Sequence, residues 1–183
     1  GKTLLAMIMA GLLKPASGKV IIEGKTGYAS FELQQRIMAE ERKKDNSRFM
    51  QGGVDPGTLV KDFIFSKRSD IGSVPAESSA IDMALFDRYS AMFSLEKITG
   101  RGLRFLSTGE FRKVLLCREL LARPDILLVD DPYDGLDVKS RENLQQILET
   151  LVKAGERIFI LTPRKSEVPQ WAEYCAVLEN GRI

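Results

Sequence analysis

The sequence predicts an α/β fold built on a parallel sheet, on three observations. Continuous apolar runs occur at Ile126–Val129 and Arg157–Leu161. Unbroken runs, unlike alternating ones, suit strands buried on both faces of a parallel sheet. Between them lies helical periodicity over Val138–Ala154, and a second helical stretch, Glu110–Leu121, precedes the first run. Strands alternating with helices imply parallel pairing through crossovers. Third, Asp130 and Asp131 follow the first run at once, and such sheets bind ligands at the C-terminal ends of their strands.

Taken in chain order, Gly1-Lys2-Thr3 opens an apolar stretch to Leu13 whose expected place is a buried helix. Gly18-Lys19-Val20-Ile21-Ile22 reads as a short strand after a Pro-Ala-Ser-Gly turn, and Gly27–Ser30 as a second. Residues 31–50 are charged with scattered apolar positions, residues 51–80 are loop-like with Gly-Gly, Asp-Pro-Gly and Val-Pro breaks, and helical periodicity returns over Ile81–Phe93. This third of the chain has the composition of an exposed, partly helical insertion. The Glu110–Leu121 helix ends at Arg123-Pro124. The next carries apolar positions Leu144, Ile147, Leu148 and Leu151, with Gly155 placed as its cap. Ser166 is placed to cap a last helix, and Val177-Leu178 to pair with Arg182-Ile183 across an Asn180-Gly181 turn.

Composition narrows the function. The 183 residues suffice for one packed core, with room for a small subdomain. A formal net charge of +2 sets up no strong field toward nucleic acid or membrane. Histidine is absent, which excludes histidine catalysis and histidine metal sites. Cys117 and Cys175 each adjoin apolar stretches and read as buried free thiols of a reducing compartment. The longest apolar stretch, Leu4–Leu13, is about half of the ~20 residues that a spanning helix needs.

Three motifs carry chemistry. Gly1-Lys2-Thr3 matches the tail of G-x-x-x-x-G-K-[ST], in which backbone N–H groups cradle phosphates, the lysine reaches the outer phosphates and the hydroxyl ligates Mg²⁺. The triplet alone arises by chance in roughly one chain in ten of this length; the apolar helix that follows at once is what the mechanism requires. The chain is therefore expected to begin inside this loop. Asp130, at its strand end, is placed to hold the Mg²⁺, and Asp131 to polarise an attacking water. Alone, this pair reads equally well as a strand followed by an acidic turn. The third motif is Leu106-Ser107-Thr108-Gly109-Glu110, running straight into a helix that ends Leu120-x-x-x-Pro124, then the strand, then Pro132-Tyr133-Asp134-Gly135-Leu136-Asp137.

In these residues the chain resembles the ABC ATPase family, whose signature LSGGQ precedes a helix ending L-x-x-x-P, an acidic-ended strand and a P-x-x-x-L-D loop. All four parts stand here in the family's order and spacing, with Gly1-Lys2-Thr3 upstream. The wording LSTGE, the phrase Tyr133–Asp137 and Ser30-Phe31-Glu32 before a glutamine pair resemble more closely the N-terminal module of the ModF-like tandem proteins, named for molybdate transport and also described as photorepair-associated. The resemblance implies a RecA-like P-loop core with an inserted helical subdomain: residues 1–30 and 106–183 as core, residues 31–105 as the insertion. It implies ATP and Mg²⁺ as cofactors and two modules paired head to tail. Gly1, Lys2, Thr3 and Asp130 would then act on the chain's own nucleotide. Ser107, Thr108, Gly109 and Glu110 would act on the partner's, and Asp137 would signal across the interface. The partner is a second such module, in the same chain or another, and a transporter would add a membrane permease on another chain. The expected location is the cytoplasm, including the inner face of the membrane.

Four departures bear on mechanism. Asp131 stands for the family's glutamate and is one methylene shorter. Thr162-Pro163-Arg164 stands where the switch histidine belongs, and proline has no side-chain donor and no N–H; Arg164 is a candidate to supply charge instead. Thr108 and Glu110 replace glycine and glutamine of the signature. The Q-loop glutamine has no unambiguous match, and Gln34 is chosen over its neighbours. The expected activity is ATP binding with slow hydrolysis, with a regulatory nucleotide clamp as the alternative.

Overall fold

The computed structural model describes residues 1–45, 54–66 and 82–179. Helix α1 spans Lys2–Met9, strand β1 Thr26–Ser30 and helix α2 Phe31–Lys43. Helices α3 (Val60–Phe65) and α4 (Met83–Phe93) and a 3₁₀ turn at Leu103–Phe105 lead to α5 (Thr108–Leu121). Strand β2 (Ile126–Asp130), helix α6 (Val138–Lys153) and strand β3 (Ile158–Leu161) follow, and a last 3₁₀ turn covers Lys165–Glu167.

The strands form one parallel sheet in the order β1-β2-β3, with Ser30 opposite Asp130 and Asp130 opposite Leu161. Parallel neighbours need crossovers: the 31–121 helices join β1 to β2, and α6 joins β2 to β3. Side chains alternate across the sheet. Ala29, Leu127 and Val129 pack into the main core with α2, α5 and α6, while Tyr28, Leu128 and Leu161 pack with Ala6 and Ala10 from the α1 region. The sheet is thus sandwiched, and its C-terminal ends bring Ser30, Asp130 and Leu161 side by side.

Helix α5 is buried nearly all round. Phe111, Val114, Leu115, Leu116, Cys117 and Leu120 lie in the main core together with the charged Arg112, Arg118 and Glu119. Each buried charge meets polar or aromatic groups, as burial demands. The Arg118 guanidinium lies 4.4 Å from the centre of the Phe63 ring, a cation–π arrangement. The Glu119 carboxylate accepts the Tyr28 N–H at 3.0 Å. That satisfies a backbone donor on the side of β1 away from β2, where the described residues supply no strand.

Several expectations need correction. Gly18–Ile22 forms no strand: Val20 and Ile21 are exposed, and no described segment pairs with them. An isolated strand leaves its ladder groups to water, so local apolar character was not enough. The β3 strand is real but half exposed, with Phe159 open, whereas β1, equally terminal among the described strands, is buried along its length. Of helix α1 only Ala6 is buried, and Leu4 and Leu13 face out. Residues 60–65, expected within a loop-like stretch, form α3; Val60, Phe63 and Ile64, at helical spacing, are buried. Ser166 lies inside a 3₁₀ turn and caps no helix. Val177 and Leu178 carry no strand, and the rest of that hairpin, residues 180–183, lies outside the described residues, as do residues 46–53, with the Gly-Gly break, and 67–81 of the middle segment. Cys117 is buried but Cys175 is exposed; both are free.

Candidate functional site

The first group of site residues gathers where α1 begins, beside the end of β2. Gly1 is the N-cap of α1 and no side chain caps it, so the first turn presents Lys2, Thr3 and N–H groups without a side-chain competitor. The Tyr28 hydroxyl donates to the Asp130 carboxylate at 3.4 Å, and the Thr3 hydroxyl lies close enough to act on it. Burial raises the Asp130 pKa above the ordinary carboxylate value and nearby Glu32 adds to this, while the Thr3 and Tyr28 hydroxyls and the Lys2 charge oppose it. A buried carboxylate so placed is stabilised in its ionised form by a cation. One carboxylate and one hydroxyl suit Mg²⁺, which commonly takes one or two protein oxygens and completes its shell with phosphate and water. Among the described residues no three acidic, cysteine or histidine side chains cluster into an all-protein metal cage.

Asp131 begins the turn after β2 in a left-handed conformation, with φ 53°, uncommon for a non-glycine residue. Its N–H donates to the Leu161 carbonyl at 2.9 Å and its carbonyl accepts from Arg112 Nη1 at 2.9 Å. Burial raises its pKa, and the charges of Asp134, Asp130 and Glu167 raise it further against the opposing Arg112. The side chain therefore accepts a proton more readily than a free aspartate.

The second group is the start of α5. Ser107 is the N-cap: its hydroxyl accepts the Glu110 N–H at 3.2 Å, and the Glu110 carboxylate accepts the Ser107 N–H at 2.8 Å. This reciprocal pair is a capping box. Arg101 donates to Glu110 at 2.9 Å and also to the Phe105 carbonyl. Burial pushes Glu110 up, but the hydrogen bonds from Ser107 and the charge of Arg101 outweigh it and hold the carboxyl below its usual range. The acidic replacement in the signature is thereby turned back onto its own helix and paired. Gly109 lies against Ser140 and Leu136. Gly135, with φ 70°, passes so close to Phe31 and Thr108 that a Cβ would sit 3.2 and 3.4 Å from them. Asp137 caps α6, accepting the Ser140 N–H and hydroxyl, each at 2.9 Å. The loop aspartate is thus held directly beneath the signature turn.

Gln34 is buried between the groups. Its amide donates to the Thr108 carbonyl at 3.0 Å and accepts from Arg112 Nε at 2.7 Å. Beyond β3, Arg164 is paired with the buried Glu167 at 2.9 Å, and Glu167 also accepts from Arg141 at 3.2 Å and from the Thr162 hydroxyl. The guanidinium considered as a replacement for the missing histidine is therefore held by a carboxylate. Sequence reasoning missed Arg112, Arg101, Tyr28 and Glu167. Arg101 and Glu110 lie nine residues apart, and Arg112 and Tyr28 join segments far apart in the chain, so no local periodicity marks them; Glu167 lies three residues from Arg164 and five from Thr162, a local signal that was passed over.

A parallel sheet, a phosphate-type helix start beside an acidic strand end, and a capped serine turn together define a nucleotide-binding α/β cassette. The ABC transporter family model matches residues 1–134. The chain belongs to the ABC transporter family of ATPases. It is 30% identical over 188 residues to the ABC transporter ATP-binding protein ModF of Escherichia coli (strain K12), covering 98% of this chain and 35% of that protein. It is 28% identical over 189 residues to the energy-coupling factor transporter ATP-binding protein EcfA2 of Lactococcus lactis subsp. cremoris (strain MG1363), covering 100% of this chain and 62% of that protein. The chain thus spans less than two thirds of the length of these relatives. Among solved structures, the dimeric structure of a bacterial ABC transporter cassette superposes with a TM-score of 0.65 at 19% identity, over 91% of this chain and 72% of that one. The expected P-loop α/β fold stands. No helix among the described residues is long and apolar enough to cross a membrane.

Proposed function

We propose that this chain is an ATP-binding and ATP-hydrolysing module that completes composite ATP sites with a second module, in the same chain or as a dimer partner. The observation that carries the reading is the approach of the Thr3 hydroxyl to the Asp130 carboxylate at the start of α1, beside Lys2. It brings together the hydroxyl and the carboxylate that an Mg–nucleotide needs, from residues over 120 positions apart. Gly1 and Lys2 bind phosphate, and Thr3 and Asp130 hold Mg²⁺, which when bound neutralises charge on the phosphate oxygens. Asp131 orients the attacking water and receives its proton. Ser107, Thr108, Gly109 and Glu110 form the turn offered to the partner's nucleotide, supported by Asp137 from below and by Gln34 from the side. Residues 31–105 act as the helical subdomain that carries this turn, between core segments 1–30 and 106–183. By analogy with transporter relatives, the module works in the cytoplasm, at the inner face of the membrane where a permease on another chain is its further partner.

Hydrolysis at the chain's own site is slow. Asp131 is one methylene short of the family's glutamate, Pro163 offers no donor, and Arg164 is held by Glu167. The same observations support a second reading, a regulatory module that clamps ATP without useful turnover. ATP turnover of the full-length protein, wild type against Asp131→Asn and Pro163→His, separates them. Turnover abolished by Asp131→Asn supports a working engine. Turnover indifferent to Asp131→Asn but raised by Pro163→His supports the clamp. Wild-type turnover as fast as that of a module with both glutamate and histidine contradicts the slow-site reading.

A further inference from the structure

Arg112 is among the most buried side chains of the protein, at 1% exposure. A guanidinium cannot shed its charge at neutral pH, and burial pushes this one down only to about 10, against the supporting charges of Asp134 and Asp131. It is therefore a buried cation, and such a group persists where its donors are matched by acceptors. They are matched in two directions. Toward the turn after β2, Arg112 Nη1 donates to the carbonyls of Asp131, at 2.9 Å, and Pro132, and Nη2 to that of Asp134, at 3.4 Å. Toward α2, Nε donates to Gln34 Oε1 at 2.7 Å, and the Gln34 amide donates on to the Thr108 carbonyl at 3.0 Å. The Phe31 ring closes the remaining face, 5.5 Å from the guanidinium carbon.

The result is one unbroken chain of hydrogen bonds: Thr108 carbonyl, Gln34 amide, Arg112 guanidinium, Asp131 carbonyl. Its ends have different duties. Thr108 belongs to the turn that a partner's nucleotide would meet. Asp131 is the carboxylate beside the chain's own nucleotide, and its left-handed backbone is held at two points, by Leu161 through its N–H and by Arg112 through its carbonyl. A planar fork sets direction as well as distance, which an ammonium does not. The chain of bonds thereby runs from the α5 start to the peptide that carries the Asp131 side chain.

We propose that Arg112, through Gln34, is a positioning residue that couples the two composite ATP sites within one chain, setting the Asp131 carboxylate according to whether the signature turn has closed on a nucleotide. This rests on the roles assigned above to Ser107–Glu110 and Asp131. Neither Arg112 nor Gln34 needs to touch the reacting atoms. Their effect is on geometry, where misplacement by about an ångström can cost up to about 100-fold in rate.

The test uses the full-length protein, with ATP turnover followed over a range of ATP concentrations. Arg112→Lys keeps the buried charge and removes the fork. Gln34→Ala cuts the link at the opposite end and leaves the charge in place. Expected for both are a fall in kcat of about tenfold or more, ATP binding without turnover within about twofold of wild type, and a Hill coefficient for ATP reduced toward one. A merely structural role would instead lower the melting temperature and scale kcat with the folded fraction, leaving the Hill coefficient unchanged; that result overturns the proposal. Unchanged kcat and Hill coefficient in Gln34→Ala overturn it too, whether or not Arg112→Lys folds. Wild-type protein without turnover sinks the functional reading and this inference with it. Wild-type turnover with unaffected variants sinks the inference alone.

Discussion

Ser107 carries two duties that substitution can separate. Its hydroxyl caps α5 by accepting the Glu110 N–H, and in the functional reading it also meets a phosphate of the partner's nucleotide. Alanine removes the cap oxygen and costs about 1 kcal/mol, whereas glycine at an N-cap costs only about a few tenths. The cost of alanine is confined here, because the Glu110 carboxylate still bonds the Ser107 N–H and the body of α5 lies in the core. For a domain of this size, the alanine variant should melt roughly 2–4 °C lower, and the glycine variant close to wild type. Both variants lack the hydroxyl. A hydrogen bond to a charged group contributes about 1.5–3 kcal/mol, so both should weaken ATP-dependent association of the modules by the same factor, roughly 10- to 150-fold. Thermal melts and ATP-dependent association, by sedimentation or by interdomain crosslinking, read the two effects. If association instead follows stability, with glycine near wild type, the hydroxyl only caps its helix and the phosphate role is wrong.

Two further predictions concern the fold. Glu41 is buried and accepts from the Thr58 N–H at 3.0 Å, the Thr58 hydroxyl at 2.9 Å and Lys44 at 3.2 Å; burial raises its pKa, but these bonds outweigh that and hold the carboxyl below its ordinary value. Its contribution is therefore fully present above the unfolded pKa of about 4.3 and is lost as pH falls through the lower folded value. Glu41→Gln should lower stability at pH 7 by about 1–3 kcal/mol and flatten the acid limb of a melting-temperature profile; a limb unchanged from wild type contradicts the assignment. At Gly102 a Cβ would sit 1.8 Å from the Pro56 carbonyl oxygen, so the backbone itself must shift. Gly102→Ala should cost about 1–3 kcal/mol or more by separating the 54–59 segment from the turn before α5, and a denaturant midpoint equal to that of wild type would contradict this packing.

Much of the site was legible because its signals are local. Ser107 and Glu110 are three residues apart, the interval of a capping box, and the helix after them ends at Leu121, just before Arg123-Pro124, as read. Ile126–Asp130 announces itself as an unbroken apolar run with an acid at its end, and the 144, 147, 148, 151 spacing of α6 is the face buried in the core. The failures share one physical origin. Gly18–Ile22 has strand composition, but a strand needs a neighbour, and whether one exists is not a property of five residues. The Arg157–Leu161 run looks as apolar as the central strand, yet Phe159 is left open, and what covers a strand's face is not a property of its own residues. Helix α3 was passed over because its six residues are bracketed by loop signals.

The sequence by itself determined the elements whose cause lies within a few residues of their effect: the capped signature helix, the acidic strand end and the glycine-lysine-threonine start. The order and spacing of these motifs also pointed to the family, which the family model over residues 1–134 shows. Only the tertiary structure decided which of them meet. Thr3 reaches Asp130 because β2 delivers the carboxylate beside the start of α1. Glu110 is neutralised by Arg101, and Arg164 is held by Glu167. Arg112, which a linear reading of function passes over, joins Gln34 and the signature turn to the Asp131 peptide. The Thr3–Asp130 and Gln34–Arg112–Asp131 contacts depend on which faces the sheet and helices bury together, and burial couples residues without regard to their separation in the chain.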